Sequence, residues 1–213
     1  MKPHVPKPLI LCEGKEDQLV IEALAKHLGL ETEFVIESYD GKDCLKAHLL
    51  TLKARPEFSR GEFSKVIVTR DADSDFASAW DAVKAAISSV FACQPNATGE
   101  WMALGNGMTI TAWVIPGPGQ SGMIETLCME SARTKSPKVF SCLDSFVGCL
   151  EGVHGGKLHE KTRFAIWTIA AQGLGAQKRL SLERAIPNLP INWEDEAFSS
   201  LKKLMVAAVD VEI

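Results

Sequence analysis

Two hydrophobic patterns alternate along the first part of the chain. Short apolar runs are typical of buried parallel strands, whereas apolar residues recurring every three or four positions are typical of amphipathic helices. The runs predict strands at 9–12, 34–36, 66–68 and 110–115. The recurring pattern predicts helices at 16–28, 44–54 and 76–91, and another that begins near Gly122 with Ser121 as its cap. This alternation predicts an α/β fold with a mostly parallel sheet flanked by helices.

From residue 131 onward the pattern is helical. It predicts helices at 139–150, 161–171 and 197–207, with no linker of distinct composition before them. We therefore expect an α/β core over residues 1–130 and a helical C-terminal extension over residues 131–213. The extension is expected to pack against the core as one compact unit.

The 213-residue chain is mildly acidic, with a formal net charge of −4. Residues 1–130 hold 12 Lys/Arg and 18 Asp/Glu, whereas residues 131–184 hold 9 and 4. The excess of acidic residues in 1–130 argues against unaided binding of duplex DNA. The basic segment 131–184 forms either a local basic face or an ordinary solvated helix surface. Because the chain has neither an apolar run long enough to span a membrane nor a secretory signal, we expect a cytoplasmic protein without membrane contact.

Acidic residues cluster where the predicted strands end. Glu13 follows the first strand, and Asp71 and Asp73 follow the third, where an extended chain would point both aspartates the same way. Asp17 and Glu125 lie at the starts of predicted helices. Ligands of open α/β sheets bind at this edge, and converging carboxylates favour Mg²⁺ or Mn²⁺. Taken singly, an acid at a helix start is also explained by capping and by the helix dipole.

Four segments resemble the Toprim (topoisomerase–primase) family. The first two motifs are LILCEGKED at residues 9–17 and VIVTRDADSD at residues 66–75. The later segments WVIPGPGQSGMIETLCME (113–130) and HEKTRFAIWTIAAQG (159–173) are similar to small standalone bacterial Toprim-like proteins of unassigned function, related to the OLD nucleases. The resemblance covers most of residues 8–170 and implies a Toprim-like, Rossmann-like fold.

The resemblance also implies roles for particular residues of these segments. Glu13 matches the glutamate that acts as general acid/base or metal ligand, and Lys161 matches a basic residue near the scissile phosphate; an exposed helix lysine is the alternative for Lys161. The metal-binding positions of the family match Asp17, Asp71, Asp73 and Glu125.

The chain also departs from relatives of this kind. It has no Walker A motif, so any ATP-driven activity would need a separate ATPase or other partner chain. Three functions remain open: a Mg²⁺- or Mn²⁺-dependent nuclease acting on DNA or RNA, a non-catalytic metal- or nucleotide-binding regulatory module, and a small-molecule phosphotransferase or phosphatase. The loop at 116–122 is a simple turn, a cradle for a phosphate through its backbone N–H groups, or both.

Overall fold

The computed structural model describes residues 5–171, 185–186 and 189–209. The strands are β1 (Lys7–Cys12), β2 (Val35–Ser38), β3 (Phe63–Asp71), β4 (Met102–Ala103) and β5 (Thr109–Ile115). The helices are α1 (Lys15–His27), α2 (Leu45–Ala54), α3 (Pro56–Ser59), α4 (Phe76–Phe91), α5 (Ile124–Lys135), α6 (Pro137–His154), α7 (Glu160–Ala171) and α8 (Ser199–Ala208).

The five strands form one mostly parallel sheet in the order β2-β1-β3-β5-β4. Only the short strand β4 is antiparallel to its neighbour, β5. The predicted α/β class with a Rossmann-like sheet is confirmed. The chain moves from β1 to one side for β2 and then to the other side for β3, so the sheet reverses its direction of growth between β1 and β3. In open α/β sheets ligands bind at the carboxyl ends of strands at such a switch point.

Side chains alternate between the two faces of the sheet and build two apolar layers. Ile10 and Ile67 pack with α1 and the C-terminal helices. Leu11 and Val68 face the opposite side and pack with α2, α3 and α4. Because β1 and β3 are covered on both faces, their runs are apolar at successive positions, as the hydrophobic pattern predicted.

The C-terminal helices pack on the same face as α1. Trp167 of α7 is fully buried, with its ring centroid 5.7 Å from that of Phe140 in α6 and 5.5 Å from that of Phe164. These residues share one apolar cluster with Ile10 and Ile67 of the sheet. The domain boundary expected at residue 130 falls inside α5.

The predicted helices are present with shifted ends, and two local predictions are wrong. The third strand runs on to Asp71, because backbone pairing with β5 continues to Ile115 despite the polar residues of this segment. Ser121 does not cap the fifth helix: the N-cap is Met123, whose backbone N–H donates to Thr126 Oγ1 at 3.2 Å. The basic segment expected at 131–184 extends into residues 172–184, which lie outside the described residues. No helix in the described ranges is long and apolar enough to span a membrane.

Candidate metal centre

Three carboxylates from three separate elements meet at the carboxyl edge of the sheet. Asp71 ends β3, Asp17 lies in the first turn of α1, and Glu125 lies in the first turn of α5. One oxygen of each lies within 4.8 Å of the other two. The residues are only 4%, 3% and 1% exposed, respectively. The structure therefore brings together three of the four predicted metal ligands, in what we call the acidic triad: Asp17, Asp71 and Glu125.

Local folding explains why the three side chains converge. Asp71 continues the period-two row of β3 that includes Ile67, and this row faces the layer that holds α1 and α5. Each of these helices begins at the same edge of the sheet. The positive ends of two helix dipoles therefore point towards the triad, which favours negative charge there.

Backbone N–H groups satisfy some of the carboxylate oxygens and leave others without partners. Gly14 N donates to Asp17 Oδ2 at 2.7 Å, and Ile124 N donates to Asp71 Oδ1 at 3.1 Å. Asp17 Oδ1 and Glu125 Oε2 are buried without a hydrogen-bond partner. Leaving such oxygens buried and unpartnered is unfavourable, so these two atoms favour the binding of a cation or a hydrogen-bond donor.

Burial raises the pKa of every carboxyl group in the triad, and neighbouring carboxylates add to the increase. For Asp17, burial and then the charge of Glu125 raise the pKa to about 7. Burial and the charges of Asp17 and Glu125 raise the pKa of Asp71. Burial also raises the pKa of Glu125. Perturbations of this kind concentrate at functional sites because a site that needs charge tolerates the cost of burying it.

Lys161 reaches the triad from the first turn of α7. Its Nζ atom lies 3.9 Å from Glu125 Oε1, and its side chain is half exposed, whereas that of Glu125 is 2% exposed. Burial lowers the pKa of Lys161, but the charges of Glu125, Asp17 and Asp71 outweigh it and raise that pKa. Lys161 therefore contacts the buried triad at one end of its half-exposed side chain. Its single positive charge cannot neutralise three carboxylates.

Glu13 lies directly beside the triad. Its Oε2 atom accepts a hydrogen bond from Asp71 N at 3.4 Å. Burial raises the pKa of Glu13, while the nearby charge of Arg70 opposes the increase. The structure thus places Glu13 next to the predicted metal ligands, in contact with both the triad and solvent.

Asp73 does not join the triad, so the expected alignment of Asp71 with Asp73 is wrong. The backbone at Asp73 has φ 50°, and its carbonyl accepts a hydrogen bond from Gly122 N at 2.7 Å. This turn ends the extended conformation on which the alternation of side chains depends. Asp73 Oδ2 instead lies 3.6 Å from Lys42 Nζ, with both side chains exposed.

The neighbouring loop forms a turn. Gln120 N donates to Gly117 O at 3.1 Å, which closes the turn. Protein acceptors already occupy the N–H groups of Gly122, Met123 and Ile124 at the start of α5. These three groups are therefore not free to bind a phosphate, and the predicted turn is present.

A cleft of about 820 Å³ opens beside the triad. Glu13 and Lys161 line it, together with Lys42 from the loop between β2 and α2 and Lys157 from the loop between α6 and α7. Sequence reasoning missed Lys42 and Lys157. The position of Lys42 after the second predicted strand was a usable signal, because the carboxyl ends of parallel strands lie at one edge. Lys157 reaches the cleft through tertiary packing and carries no comparable signal.

The donor set fits a hard divalent cation. Oxygens that coordinate one Mg²⁺ at about 2.0–2.1 Å lie at most about 4.2 Å apart, so the triad needs only small side-chain movements to coordinate one ion. All three donors are carboxylates, which suits Mg²⁺, Ca²⁺ and Mn²⁺ better than softer metals. The buried acidic triad can therefore bind a divalent metal, and the unpartnered oxygens of Asp17 and Glu125 are the two atoms it would satisfy.

Fold and site together define an α/β protein with a Rossmann-like sheet and a buried acidic triad at the switch point between β1 and β3. The chain belongs to a family described as a protein of unknown function, DUF3226, whose model matches residues 7–207. The match spans the sheet, the triad and all but the last residue of α8. No curated protein and no solved structure matches the chain.

Proposed function

We propose that this protein is a metal-dependent phosphodiesterase of Toprim type that cleaves DNA or RNA and uses Mg²⁺ or Mn²⁺. The acidic triad carries the proposal. Three buried carboxylates with raised pKa values and two unpartnered oxygens are costly to the folded protein unless a cation binds them. A metal ion bound there would polarise a phosphoryl oxygen and stabilise the charge that develops on the leaving oxygen.

Glu13 is suited to proton transfer during this reaction. It lines the cleft, and its backbone-anchored side chain is next to Asp71. Burial raises its pKa towards neutrality, which is the direction that improves a carboxyl group as a general acid/base near physiological pH. Its position after β1 also matches the glutamate of the first Toprim motif.

Lys161 is suited to contact the substrate phosphate. Its ammonium group lies between the triad and the cleft, within 3.9 Å of Glu125, and its half-exposed side chain can turn towards a ligand in the cleft. A lysine in this position acts as a point charge on a phosphate oxygen. Asp73 faces the cleft with Lys42 and is not part of the proposed ligand set.

A cleavage assay tests the proposal directly. Single-stranded DNA, duplex DNA, supercoiled plasmid and structured RNA are incubated with Mg²⁺, Mn²⁺ or EDTA, together with a generic phosphomonoester. Wild type is compared with Asp71→Asn, which removes one charge and keeps the acceptor for Ile124 N. Asp81→Asn, at an exposed position of α4, is the matched control for the same chemical change.

We expect metal-dependent cleavage that Asp71→Asn abolishes and Asp81→Asn retains, with both variants folded. Cleavage that persists in EDTA or in Asp71→Asn would contradict the proposal. A metal-induced rise in melting temperature without cleavage of any polymer would instead favour the metal-binding regulatory module. Turnover of the phosphomonoester alone would favour a phosphatase.

A further inference from the structure

We infer that the substrate is a short, single-stranded oligonucleotide or the single-stranded end of a longer chain, rather than an extended duplex. The inference deepens the proposed function and depends on it. Its basis is the size of the cleft, the charge on its walls and the depth of the triad.

The cleft is the size of a small-molecule site. Its volume of about 820 Å³ lies in the range of about 300–1,000 Å³ that is typical of pockets for ligands of drug size. A segment of a few nucleotides fits this space. Specific duplex recognition commonly buries about 1,000–2,500 Å² of protein surface and depends on a much more extended basic face.

The charge on the cleft walls limits the number of phosphates that the protein can hold. Three lysines line the cleft, Lys42, Lys157 and Lys161. Carboxylates are at least as frequent there: Glu13, Asp40, Asp43, Asp73 and Glu160. The carboxylates of the cleft therefore repel the phosphates of a long polyanion, except those that lie beside a lysine.

Ion pairs reduce the number of available cations further. Lys42 lies 3.6 Å from Asp73, and Lys161 lies 3.9 Å from Glu125. Lys157 has no ion pair within the part of the chain that the structure describes. The substrate phosphates therefore meet one unpaired lysine and two that must exchange a carboxylate for a phosphate oxygen.

The depth of the triad restricts the shape of the substrate. Asp17, Asp71 and Glu125 are nearly inaccessible and do not line the cleft, whereas Glu13 and Lys161, which contact Asp71 and Glu125, do. A phosphodiester must leave the surface of its helix to approach them. A single strand bends at little cost, whereas a duplex would first have to unpair locally, which is unfavourable.

The experiment compares substrates of increasing length under the cleavage conditions given above. Single-stranded di-, tri-, deca- and 20-nucleotides of DNA and RNA are compared with a blunt 20-base-pair duplex, and products are quantified by mass spectrometry. The salt dependence of kcat/KM is measured with the trinucleotide and the 20-mer. For about three phosphate contacts on a single strand, we expect a slope of log kcat/KM against log salt near −2.

We expect kcat/KM to differ by roughly threefold or less between the trinucleotide and the single-stranded 20-mer, and the duplex to be at least roughly tenfold slower. Lys157→Gln should raise KM roughly three- to tenfold and make the salt slope shallower by roughly 0.7, because it removes one phosphate contact. Lys203→Gln changes the same charge at an exposed position of α8 outside the cleft, and we expect it to behave as wild type.

Two results would overturn the inference while leaving the proposed function intact. One is a rise in kcat/KM of more than tenfold from the trinucleotide to the 20-mer with a steep salt slope. The other is faster cleavage of the duplex than of the single strand. Failure to cleave any substrate, with wild type equal to Asp71→Asn, would instead remove the proposed function and this inference with it.

Discussion

Replacing Asp17 by asparagine should stabilise the metal-free protein and remove its response to metal. Asparagine keeps the acceptor for Gly14 N and places an amide donor where Asp17 Oδ1 is now buried without a partner. The new donor can bind the carboxylate of Asp71 or Glu125. The substitution therefore relieves repulsion and satisfies a polar atom without changing side-chain volume.

The pKa of Asp17 sets the size of the effect. The folded protein raises this pKa from 3.8 to about 7. At about 1.4 kcal/mol per pH unit, ionising Asp17 in the folded state costs at most about 4 kcal/mol above pH 7. For a chain of this length about 1 kcal/mol shifts the melting temperature by roughly 2–4 °C, so the largest rise expected for Asp17→Asn at pH 8 in EDTA is roughly 8–16 °C.

The pH dependence has a defined sign. Because the pKa is higher in the folded protein, the folded state holds the proton more tightly than the unfolded chain does. The resulting stabilisation is fully present below about pH 4 and is lost as pH rises through about 7. Metal-free wild type should therefore be more stable at pH 5 than at pH 8, and Asp17→Asn should flatten this part of the profile.

Thermal unfolding followed by circular dichroism at pH 4, 5, 7 and 8, with EDTA or Mn²⁺, measures each of these effects. Mn²⁺ should raise the melting temperature of wild type at pH 8 and leave that of Asp17→Asn unchanged. Asp81→Asn, on the exposed face of α4, should shift stability by no more than about 0.5 kcal/mol. A lower melting temperature for Asp17→Asn in EDTA at pH 8, or a full Mn²⁺ response in that variant, would refute the reasoning.

Three further substitutions test separate parts of the site. Glu13→Gln should lower cleavage at least about 100-fold yet preserve the Mn²⁺-induced rise in melting temperature, because a general acid/base acts on the reaction and not on metal retention. Asp73→Asn should leave that rise intact, as measured by the same thermal assay, because Asp73 pairs with Lys42 outside the triad; loss of the rise would return Asp73 to the ligand set. Trp167→Ala should cost about 3–5 kcal/mol in denaturant unfolding, because it removes a fully buried ring that packs α7 against α6.

Hydrophobic patterning was sufficient for most of the sheet and most helices because the central residues of β1, β3 and β5 are buried on both faces and are therefore mostly apolar at successive positions. Strand β4 escaped prediction because two residues, Met102 and Ala103, are too few to show a period. The end of β3 was misplaced because Thr69 and Arg70 are polar in composition although their backbone pairs with β5. The hydrophobicity of neighbouring residues indicates which side chains are buried. The end of a strand depends instead on backbone pairing with residues that are distant in the sequence.

The same distinction explains what could be predicted of the site. Asp17, Asp71 and Glu125 could be found because the carboxyl ends of parallel strands share one edge, so residues far apart in sequence converge there. The exclusion of Asp73 could not be found, because it depends on φ 50° at that residue and on its hydrogen bond with Gly122. A turn of this kind has no signature in a D-x-D motif.

Capping alone does not account for the acidic triad. A capping carboxylate needs only one oxygen to satisfy a backbone N–H group at a helix start. Asp17 Oδ2 accepts from Gly14 N, and Asp71 Oδ1, from the end of β3, accepts from Ile124 N. Asparagine, serine or threonine would serve as well at such positions without a buried charge. Capping also gives no reason for three such carboxylates to converge within 4.8 Å, nor for Asp17 Oδ1 and Glu125 Oε2 to remain without partners. A bound cation explains the convergence, the choice of carboxylates and the unpartnered oxygens together.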